Sequence, residues 1–451
     1  MISAYDGVPV VVAGAGLSGG AAARALRDRG ARVTVVERSE QRAEPLRAQG
    51  FAVLAADVPP AGTAQVVTSP GWRPDAPLLL AAAAAGIEVI GEVELAWRLQ
   101  GEPRPAWLAV TGTNGKTTTV GMLTSILAAA GMRTVAAGNV GLPLLDAVLA
   151  PEPCRVLAVE LSSFQLHWSA SLRPHSAVVL NVAPDHLDWH GSFAQYAAAK
   201  GRIHGPGTVA VYNREDHRSV RLAAGADVRA GFTLGSPAPG ELGVVEDLLV
   251  DRAFFDVPGE ATELATLADL RVPGAHNVAN ALAAAALARS YGVPASAVRD
   301  GLRSFVPDAH RNALVATVDE VAWVDDSKAT NPHAAAASLA AYDSVVWVAG
   351  GLLKGADVDG LVRAAVRSLR AVVLLGTDRA AFADALARHA PEIPVVEVDR
   401  LDTGAMSDVV AHARALARPG DTVLLAPAAA SMDCFRDYRE RGEMFAREVC
   451  R

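Results

Sequence analysis

The sequence predicts an α/β fold in three domains: a Rossmann-like N-terminal domain, a P-loop-type central domain with a mainly parallel sheet, and a Rossmann-like C-terminal domain. Three observations predict this fold. Each of three blocks opens with an apolar strand, strands alternate with helical stretches, and glycine-rich turns join strand to helix in the first two blocks. A chain of 451 residues also exceeds what one hydrophobic core usually serves.

The first block begins as a βαβ unit. An apolar strand is predicted at residues 8–13, the glycine-rich turn GAGLSG follows at 14–19, and a second strand is predicted at 32–36. Residues 100–105 (QGEPRP) are rich in residues that break helices and strands, which predicts a linker. We therefore expect the first domain to span residues 1–101.

The second and third blocks repeat the alternation of strand and helix. The second opens with a strand at 107–110 and the turn VTGTNGKTT, and an alanine-rich helix follows His276. The third begins near His310. The remaining predicted strands are 155–159, 176–180, 321–324, 345–349, 371–375 and 422–425. We expect a central domain at 102–309 and a C-terminal domain at 310–451.

The composition argues against several classes of protein. The formal net charge of -8 does not favour nucleic acid or an anionic membrane as partner, because both attract basic surfaces. Cys154, Cys434 and Cys450 form neither a zinc pattern nor a disulfide framework. The first six residues lack the basic start and apolar core of a signal peptide. These features predict a cytoplasmic protein.

The turn in the second block predicts a phosphate-binding loop. Glycine lets backbone N–H groups surround phosphate oxygens, and the following helix N-terminus adds positive potential. Lys116 would reach the β- and γ-phosphates of ATP, and the Thr117 hydroxyl would hold Mg²⁺. Gly112 stands three residues before Gly115 rather than four, so this is a short variant. The alternative is a chance Gly/Lys turn. The candidate ATP-binding residues here are Gly112, Thr113, Asn114, Gly115, Lys116, Thr117 and Thr118.

The GAGLSG turn is a weaker signal. It indicates a nucleotide diphosphate near a helix N-terminus, beside Gly14, Leu17 and Ser18, with Glu37 or Arg38 near the ribose or base. This pattern is typical of NAD or FAD sites, and it serves a nucleotide sugar equally well. A purely structural glycine-rich turn is the alternative.

Further segments carry a resemblance to a known family. Together with the phosphate loop, they are similar to the Mur ligases of peptidoglycan synthesis over nearly the whole chain. The segments are ELSSFQL (160–166), NVAPDHLD (181–188), HNVAN (276–280), DDSKATN (325–331), AGGLLKGAD (349–357) and APAAASMDCFRDYRERGEMF (426–445). DDSKATN, the ASMDCF region and GAGLSG favour the branch of the family that adds D-glutamate.

The resemblance implies a reaction as well as a fold. ATP would phosphorylate the alanyl carboxylate of UDP-N-acetylmuramoyl-L-alanine, the amine of D-glutamate would attack the acyl phosphate, and phosphate would leave. The three domains would bind the UDP substrate, ATP and the amino acid, in that order. The implied cofactors are ATP, two Mg²⁺ ions and a carbamylated lysine at Lys200. We expect a monomer that binds neither nucleic acid nor membrane.

The resemblance also assigns roles to single residues. Lys116, His186 and Lys200 would be catalytic, and Thr117, Glu160, His186 and Lys200 would hold the metals. Asn277, Asn280, Arg311 and Asp326 would complete the ATP site. The UDP substrate would contact Gly14, Leu17, Ser18, Glu37, Arg38, Ser69, Pro70, Gly71, Asn139 and Gln165. The amino acid would contact Lys328, Thr330, Lys354, Ser431 and Tyr438. Departures from the pattern are Ala426, Pro184, Trp189 and Tyr438.

Ordinary structural roles remain open for some of these residues. Asn277 and Asn280 lie three apart on one helical face and could be N-terminal helix caps instead. Glu160 could be a solvated acid at a strand end, and His186 a structural histidine. Lys200 could be an ordinary helix-surface lysine.

Other functions remain open as well. The protein could be a related ligase that adds another amino acid, such as L-glutamate. A folylpolyglutamate synthetase is another alternative among the amide-forming ligases. An NAD-dependent oxidoreductase would use GAGLSG but would leave the phosphate loop unexplained. A non-catalytic nucleotide-binding regulator is a third class.

Overall fold

The structure is a computed structural model that describes residues 5–152, 154–254 and 259–451, so residues 1–4 of the N-terminal signal-peptide argument lie outside it. The chain forms two compact units. One unit extends to Asp269 and includes Ala279–Phe305, and the other comprises Leu270–Val278 and Val306–Arg451. Within the described ranges, no helix is both long and apolar enough to cross a membrane.

The N-terminal sheet is fully parallel, and its strand order is β3-β2-β1-β4-β5. Its middle strand is an almost continuous apolar run buried on both faces, as parallel sheets covered by helices require. The predicted Rossmann-like arrangement is confirmed. The elements are β1 (Pro9–Ala13), α1 (Leu17–Arg27), β2 (Arg32–Val36), α2 (Glu40–Ala48), β3 (Ala52–Leu54), β4 (Gln65–Thr68), α3 (Pro77–Ala84), β5 (Glu88–Gly91) and α4 (Glu92–Leu99).

The central sheet has nine strands in the order β14-β13-β12-β11-β10-β9-β6-β8-β7. Its strands and helices are β6 (Ala106–Thr111), α5 (Lys116–Ala129), β7 (Ala136–Gly138), α6 (Leu144–Val148), β8 (Val156–Glu160), α7 (Ser163–His167), β9 (Ser176–Val179), α8 (Leu187–His190), α9 (Phe193–Gly201), β10 (Val209–Asn213), α10 (His217–Ala223), β11 (Val228–Phe232), β12 (Glu241–Val245), β13 (Leu248–Asp251), β14 (Thr262–Thr266), α11 (Ala275–Ser290) and α12 (Ala295–Ser304).

Strand order decides where the phosphate loop lies. β6 is parallel to β8 on one side and to β9 on the other, so the turn from β6 to α5 emerges from the middle of the sheet. In open parallel sheets, ligands bind at the carboxyl ends of strands where the order reverses. The edge from β12 to β14 is antiparallel and the other strand pairs are parallel, so the predicted mainly parallel sheet is confirmed. Short connections between these strands allow antiparallel hairpins, whereas parallel pairs need crossovers.

The second unit carries a six-stranded sheet in the order β15-β16-β20-β17-β18-β19, parallel except for the β15–β16 hairpin. Loops after β16, β17 and β20 therefore meet at one sheet edge. The elements are β15 (Ala313–Val318), β16 (Val321–Asp325), α13 (Pro332–Leu339), β17 (Val345–Gly350), α14 (Asp359–Ala365), β18 (Leu369–Leu375), α15 (Arg379–His389), β19 (Val395–Glu397), α16 (Ala405–Leu416), β20 (Thr422–Leu425) and α17 (Tyr438–Val449).

Helix α4 attaches the N-terminal sheet to the central sheet through two buried carboxylates. Glu92 accepts a hydrogen bond of 2.8 Å from the Leu145 N–H at the start of α6. Glu94 accepts from the backbone N–H groups of Ala170 and Ser171 and, at 2.6 Å, from the Ser171 hydroxyl. Helix N-termini and turn N–H groups are natural partners for anions. These contacts fix the N-terminal sheet against the central one.

We predict that Glu92 makes the stability of this unit pH-dependent. Burial raises the pKa of Glu92 from 4.5 to about 7. Between these values the unfolded chain loses the proton while the folded chain keeps it, so stabilisation present at lower pH is lost as pH rises. At pH ~8 the loss reaches about 3 kcal/mol. We expect Glu92→Gln to have the wild-type free energy of unfolding at pH ~4 and a higher one at pH ~8, measured by urea unfolding.

Glu94→Gln is the matched control for this prediction. Burial alone would raise the pKa of Glu94, but the hydrogen bonds from Ser171 and Ala170, together with Arg98, outweigh burial and lower it. A depressed pKa stabilises the fold at neutral pH and is lost on acidification. Glu94→Gln should therefore destabilise the protein at pH ~8. Parallel pH profiles for wild type and Glu92→Gln would contradict the role of Glu92.

Candidate active site

The phosphate loop has the strained backbone that its glycines permit. Gly115 caps α5 in the left-handed region at φ 85°, which a residue with a side chain rarely adopts. A Cβ at this position would lie 2.4 Å from Asn280 Oδ1. The asparagine that the resemblance assigned to ATP therefore lies directly against the loop. Because α11 begins at Ala275, neither Asn277 nor Asn280 is its N-terminal cap.

Two residues that the sequence analysis assigned no role hold the loop in shape. Asn181 accepts from the Asn114 N–H at 2.9 Å through its side chain and donates to the Asn114 carbonyl at 3.1 Å. The hydroxyls of Tyr196 and Thr113 are 2.9 Å apart. Asn181 is the first residue of the NVAPDHLD motif, and Tyr196 precedes Lys200 by one helical turn. Their position in or near predicted site motifs is the sequence feature that could have identified them.

Two lysine ammonium groups meet at one backbone carbonyl in the loop. Lys116 Nζ donates to the Gly112 and Thr113 carbonyls, both at 3.0 Å. Lys200 Nζ donates to the same Gly112 carbonyl at 2.7 Å. Lys200 is only 2% exposed, so the alternative of a helix-surface lysine is wrong. Burial, and then the charge of Lys116, lower the pKa of Lys200 well below its usual value. This arrangement brings two amines to the phosphate loop and disfavours positive charge on Lys200.

Glu160 lies at the carboxyl end of β8, beside the strand that feeds the loop, and is 1% exposed. It is therefore not the solvated acid of the alternative interpretation. One oxygen, Oε1, accepts from Asn139 Nδ2 at 2.8 Å. The other, Oε2, is buried without a hydrogen-bond partner among the described residues. A buried carboxylate oxygen without a partner is costly, and it suits a hard cation such as Mg²⁺.

His186 stands at the rim of the same region. It caps α8 in the left-handed conformation at φ 52°, and its side chain is 47% exposed. Partial burial lowers the pKa of His186, Asp185 opposes this, and the charges of Lys116 and Lys200 lower it further. The ring contacts Phe164, with ring centroids 4.7 Å apart. His186 is thus within electrostatic reach of both lysines.

The described parts of the chain contain no group of three or more His, Cys, Asp or Glu side chains that could hold a metal ion by themselves. A bound Mg²⁺ would therefore need oxygen ligands from elsewhere. Mg²⁺ in nucleotide sites is usually held by one or two protein ligands together with phosphate and water. The lone oxygen of Glu160 and the hydroxyl of Thr117, in the first turn of α5, fit that pattern.

The GAGLSG turn places part of the predicted UDP site together. Gly14 has φ 102°, and a Cβ there would lie 2.7 Å from Ser69 Oγ, an oxygen that is buried without a hydrogen-bond partner among the described residues. Glu37 accepts from the backbone N–H groups of Ala15, Arg38 and Ser39. Burial would raise the pKa of Glu37, but these N–H groups lower it. The glycine-rich turn and the end of β2 are therefore joined by a hydrogen bond from Ala15 to Glu37.

Among the other predicted UDP contacts, some side chains are accessible and others are already bonded to residues of the protein. Leu17 is 84% exposed and Ser18 half-buried at the start of α1, while Pro70 and Gly71 lie in the loop after β4. That loop reaches the His186 segment, where Arg73 donates to the Asp188 carbonyl at 2.9 Å. The remaining three contacts are bonded within the protein: Arg38 pairs with Asp57, Asn139 donates to Glu160, and Gln165 forms a capping box with Ser162 at the start of α7.

In the second unit, two predicted ATP-binding residues lie at the ends of the β15–β16 hairpin: Arg311 precedes it and Asp326 follows it. Burial raises the pKa of Asp326 to about 6, and its carboxylate accepts from the Asn312 N–H at 3.2 Å. The Nε atom of Arg311 lies 3.8 Å from Asp308 Oδ2. Asn277 donates to the Pro273 carbonyl at 2.8 Å. Asp326 and Arg311 interact electrostatically, which places both in one neighbourhood.

The predicted amino-acid contacts gather at the carboxyl edge of the second unit's sheet. Lys328 Nζ lies 4.0 Å from the centre of the Tyr438 ring. Leu352 and Ala430 exchange backbone hydrogen bonds of 2.8 and 2.9 Å, which joins the loop of Lys354 to that of Ser431. The Thr330 N–H donates to the Lys328 carbonyl at 2.8 Å.

These residues account for every lysine in the chain. The sequence contains four lysines, and all other members of its 41 lysines and arginines are arginines. The four are Lys116, Lys200, Lys328 and Lys354. Arginine is therefore the usual cation of this chain. Lysine, which differs from arginine in its compact ammonium and its reactive amine, occurs only at the predicted site residues.

The chain is similar to known proteins over nearly its whole length. The family profile "Mur ligase middle domain" matches residues 110–288, "Mur ligase, glutamate ligase domain" matches 310–429, and "TrkA-N domain" matches 10–59. Proteins named UDP-N-acetylmuramoylalanine--D-glutamate ligase are similar to the chain: that of Streptomyces avermitilis is 61% identical, with 99% of this chain and 98% of the relative covered. That of Thermobifida fusca is 62% identical, with 98% and 97% covered.

Solved structures share the fold at low sequence identity. A pseudomurein peptide ligase type C from Methanothermus fervidus has a TM-score of 0.62 at 17% identity, with 98% of this chain and 100% of that chain covered. MurF from Acinetobacter baumannii has a TM-score of 0.60 at 20% identity, with 93% and 91% covered. With close relatives over nearly its whole length, the chain belongs to the Mur ligase family, among the UDP-N-acetylmuramoylalanine--D-glutamate ligases.

Proposed function

We propose that the protein joins D-glutamate to UDP-N-acetylmuramoyl-L-alanine with ATP, as a step of peptidoglycan precursor synthesis in the cytoplasm. The observation that carries the proposal is the ammonium group of Lys116, held by the carbonyls of the glycine-rich loop beside the buried Glu160. Phosphoryl transfer from ATP gathers negative charge and is catalysed mainly by preorganised charge of this kind. The names of the relatives at 61% and 62% identity supply the substrates.

The reaction proceeds through an acyl phosphate. A carboxylate oxygen of the alanyl group attacks the γ-phosphorus of ATP, and ADP leaves. The amine nitrogen of D-glutamate then attacks the acyl carbon, and the tetrahedral intermediate expels phosphate with release of a proton. Lys116 stabilises the charge on the transferred group, and the loop N–H groups hold the other phosphate oxygens. Asn280 lies against the loop, where it supports adenine binding.

Four of the predicted site residues would supply the metal ligands. Thr117 and Glu160 would hold one Mg²⁺, and His186 with Lys200 would serve the second. When bound, Mg²⁺ neutralises charge on phosphoryl oxygens. The unpartnered Glu160 Oε2 supports the first assignment, since oxygen is the ligand this ion prefers.

Lys200 is best explained as a carbamylated lysine. Its side chain is buried, and no carboxylate lies within ion-pair distance of it in the described ranges. A bare ammonium next to Mg²⁺ would be repelled. Reaction of the neutral amine with CO₂ forms an N–C bond and releases a proton, which converts the cation into an anion with two oxygens. Such oxygens suit a hard metal. Arginine cannot form this group, which agrees with a lysine at this position in an arginine-rich chain.

The amino-acid and UDP sites complete the proposal. Lys328, Thr330, Lys354, Ser431 and Tyr438 would bind the two carboxylates of D-glutamate, and the Gly14–Ser69 edge would bind the UDP moiety. Lysine and hydroxyl donors gathered at one sheet edge suit an anionic amino acid. We propose further that the protein acts as a monomer with neither nucleic acid nor membrane as partner, which its net charge of -8 supports.

We predict that Lys116→Ala reduces phosphate release at least about 100-fold, because one preorganised cation at the transferred group is lost. The assay combines ATP, UDP-N-acetylmuramoyl-L-alanine and either glutamate enantiomer. Arg133→Ala is the matched control, since Arg133 is an exposed cation of the same unit paired with Glu152. Phosphate release that does not require both D-glutamate and the UDP substrate, or an active Lys116→Ala protein with a native melting curve, would refute the proposed function.

We predict that Lys200→Ala is inactive and partly rescued by a short carboxylic acid, whose anion can enter the vacated space. Lys200→Arg keeps a cation, cannot be carbamylated, and should be inactive without rescue. Since the chain has four lysines, ¹³C NMR with labelled bicarbonate can resolve a carbamate directly. The carbamate signal should appear in wild type and vanish in Lys200→Ala. A fully active Lys200→Arg protein, or wild type without a carbamate signal, would rule carbamylation out.

A further inference from the structure

Arg441 is the feature that the ligase reaction leaves unexplained. It lies on α17 and is 1% exposed, which is rare for arginine. Its guanidinium donates through Nε to Ser327 Oγ at 2.9 Å, through Nη2 to the Ser327 carbonyl at 2.9 Å and through Nη1 to the Ala429 carbonyl at 3.2 Å. Three donors on one rigid plane therefore bind two separate segments of the chain.

These segments carry the proposed amino-acid contacts. Ser327 directly precedes Lys328, and Ala429 is two residues before Ser431. The Ser327 hydroxyl donates in turn to the Tyr438 carbonyl at 2.8 Å, and the Tyr438 ring faces the Lys328 ammonium. One buried side chain thus ties together the three places from which the amino acid would be held.

The charge of Arg441 is not neutralised by an ion pair. Within the described ranges, no carboxylate oxygen lies within 4.0 Å of its guanidinium nitrogens. Asp325, a nearby acid, is committed elsewhere: Oδ1 accepts from the Ser327 N–H, and Oδ2 lies 2.6 Å from His310 Nδ1. A buried cation without a direct ion pair costs free energy. The charges of Asp433 and Asp325 offset part of this cost from a longer distance, and an anionic ligand nearby would offset more. Burial lowers the pKa of Arg441 to about 10, so it stays charged at neutral pH.

We propose that Arg441 is a positioning residue for the amino-acid site. It holds the segments of Lys328, Ser431 and Tyr438 in register, and its unpaired charge favours an amino acid with two carboxylates. This inference rests on the proposed function, because it presumes that D-glutamate binds at this sheet edge. It goes beyond direct contact, since Arg441 acts through the groups it holds.

The test compares three KM values in variants of the full-length enzyme. In Arg441→Met we expect KM for D-glutamate to rise about tenfold or more, with KM for ATP and for the UDP substrate within about twofold of wild type. Arg441→Lys keeps the charge and should raise KM for D-glutamate less. Arg414→Met is the matched control: Arg414, on α16 of the same unit, donates to the Val449 carbonyl and should leave all three KM values unchanged.

Each outcome decides a part of the proposal. An unchanged KM for D-glutamate in Arg441→Met, or an equal rise in all three KM values, would overturn it. Equal effects of the Met and Lys variants would overturn the role of the charge. If Arg441→Met fails to fold, Ser327→Ala removes the hydroxyl between Arg441 and Tyr438, and an unchanged KM for D-glutamate there would overturn the positioning role. A wild type that does not consume D-glutamate would instead refute the proposed function.

Discussion

Two lysine side chains share one carbonyl oxygen, and the rest of the catalytic unit is arranged around that contact. The Gly112 carbonyl accepts from both Lys116 and Lys200, one from the loop itself and one from α9. Two ammonium groups this close repel each other, which together with burial lowers the pKa of Lys200, while the glycine-rich turn is shaped to hold phosphate. The central position of β6 and the glycine at 115 place the turn, and the buried Glu160 lies at the end of the neighbouring strand.

The second unit handles its charge in a different way. Its cations reach the sheet edge on separate loops, so their register depends on what holds those loops together. Arg441 does this through backbone carbonyls rather than through a carboxylate. Backbone carbonyls satisfy the donors of the guanidinium without cancelling its charge, and so the positive potential remains available to a ligand.

The sequence predicted those features that depend on short spacing. The strand–turn–helix pattern located the phosphate loop, Lys116 and Thr117, and the three parallel sheets followed from alternation. Contacts between distant segments could not be predicted. Asn181 contacts Asn114 across 67 residues and Tyr196 contacts Thr113 across 83 residues, and no local sequence pattern indicates such pairs. The strands β12 to β14 were not among the predicted strands, and short strands and turns alone do not fix their antiparallel direction. Lys200 was predicted through its neighbouring motifs, and its burial became visible only in the fold.

The scarcity of lysine has a practical consequence for anyone who handles the protein. Common coupling chemistries, from fluorescent esters to amine-reactive sensor surfaces, select primary amines and leave guanidinium groups alone. Because every lysine side chain of this protein lies in a segment assigned to a ligand, such reagents have no bystander lysine to modify. Immobilisation through lysine would therefore compete with ligand binding, and attachment through the exposed thiol of Cys450 would avoid that competition.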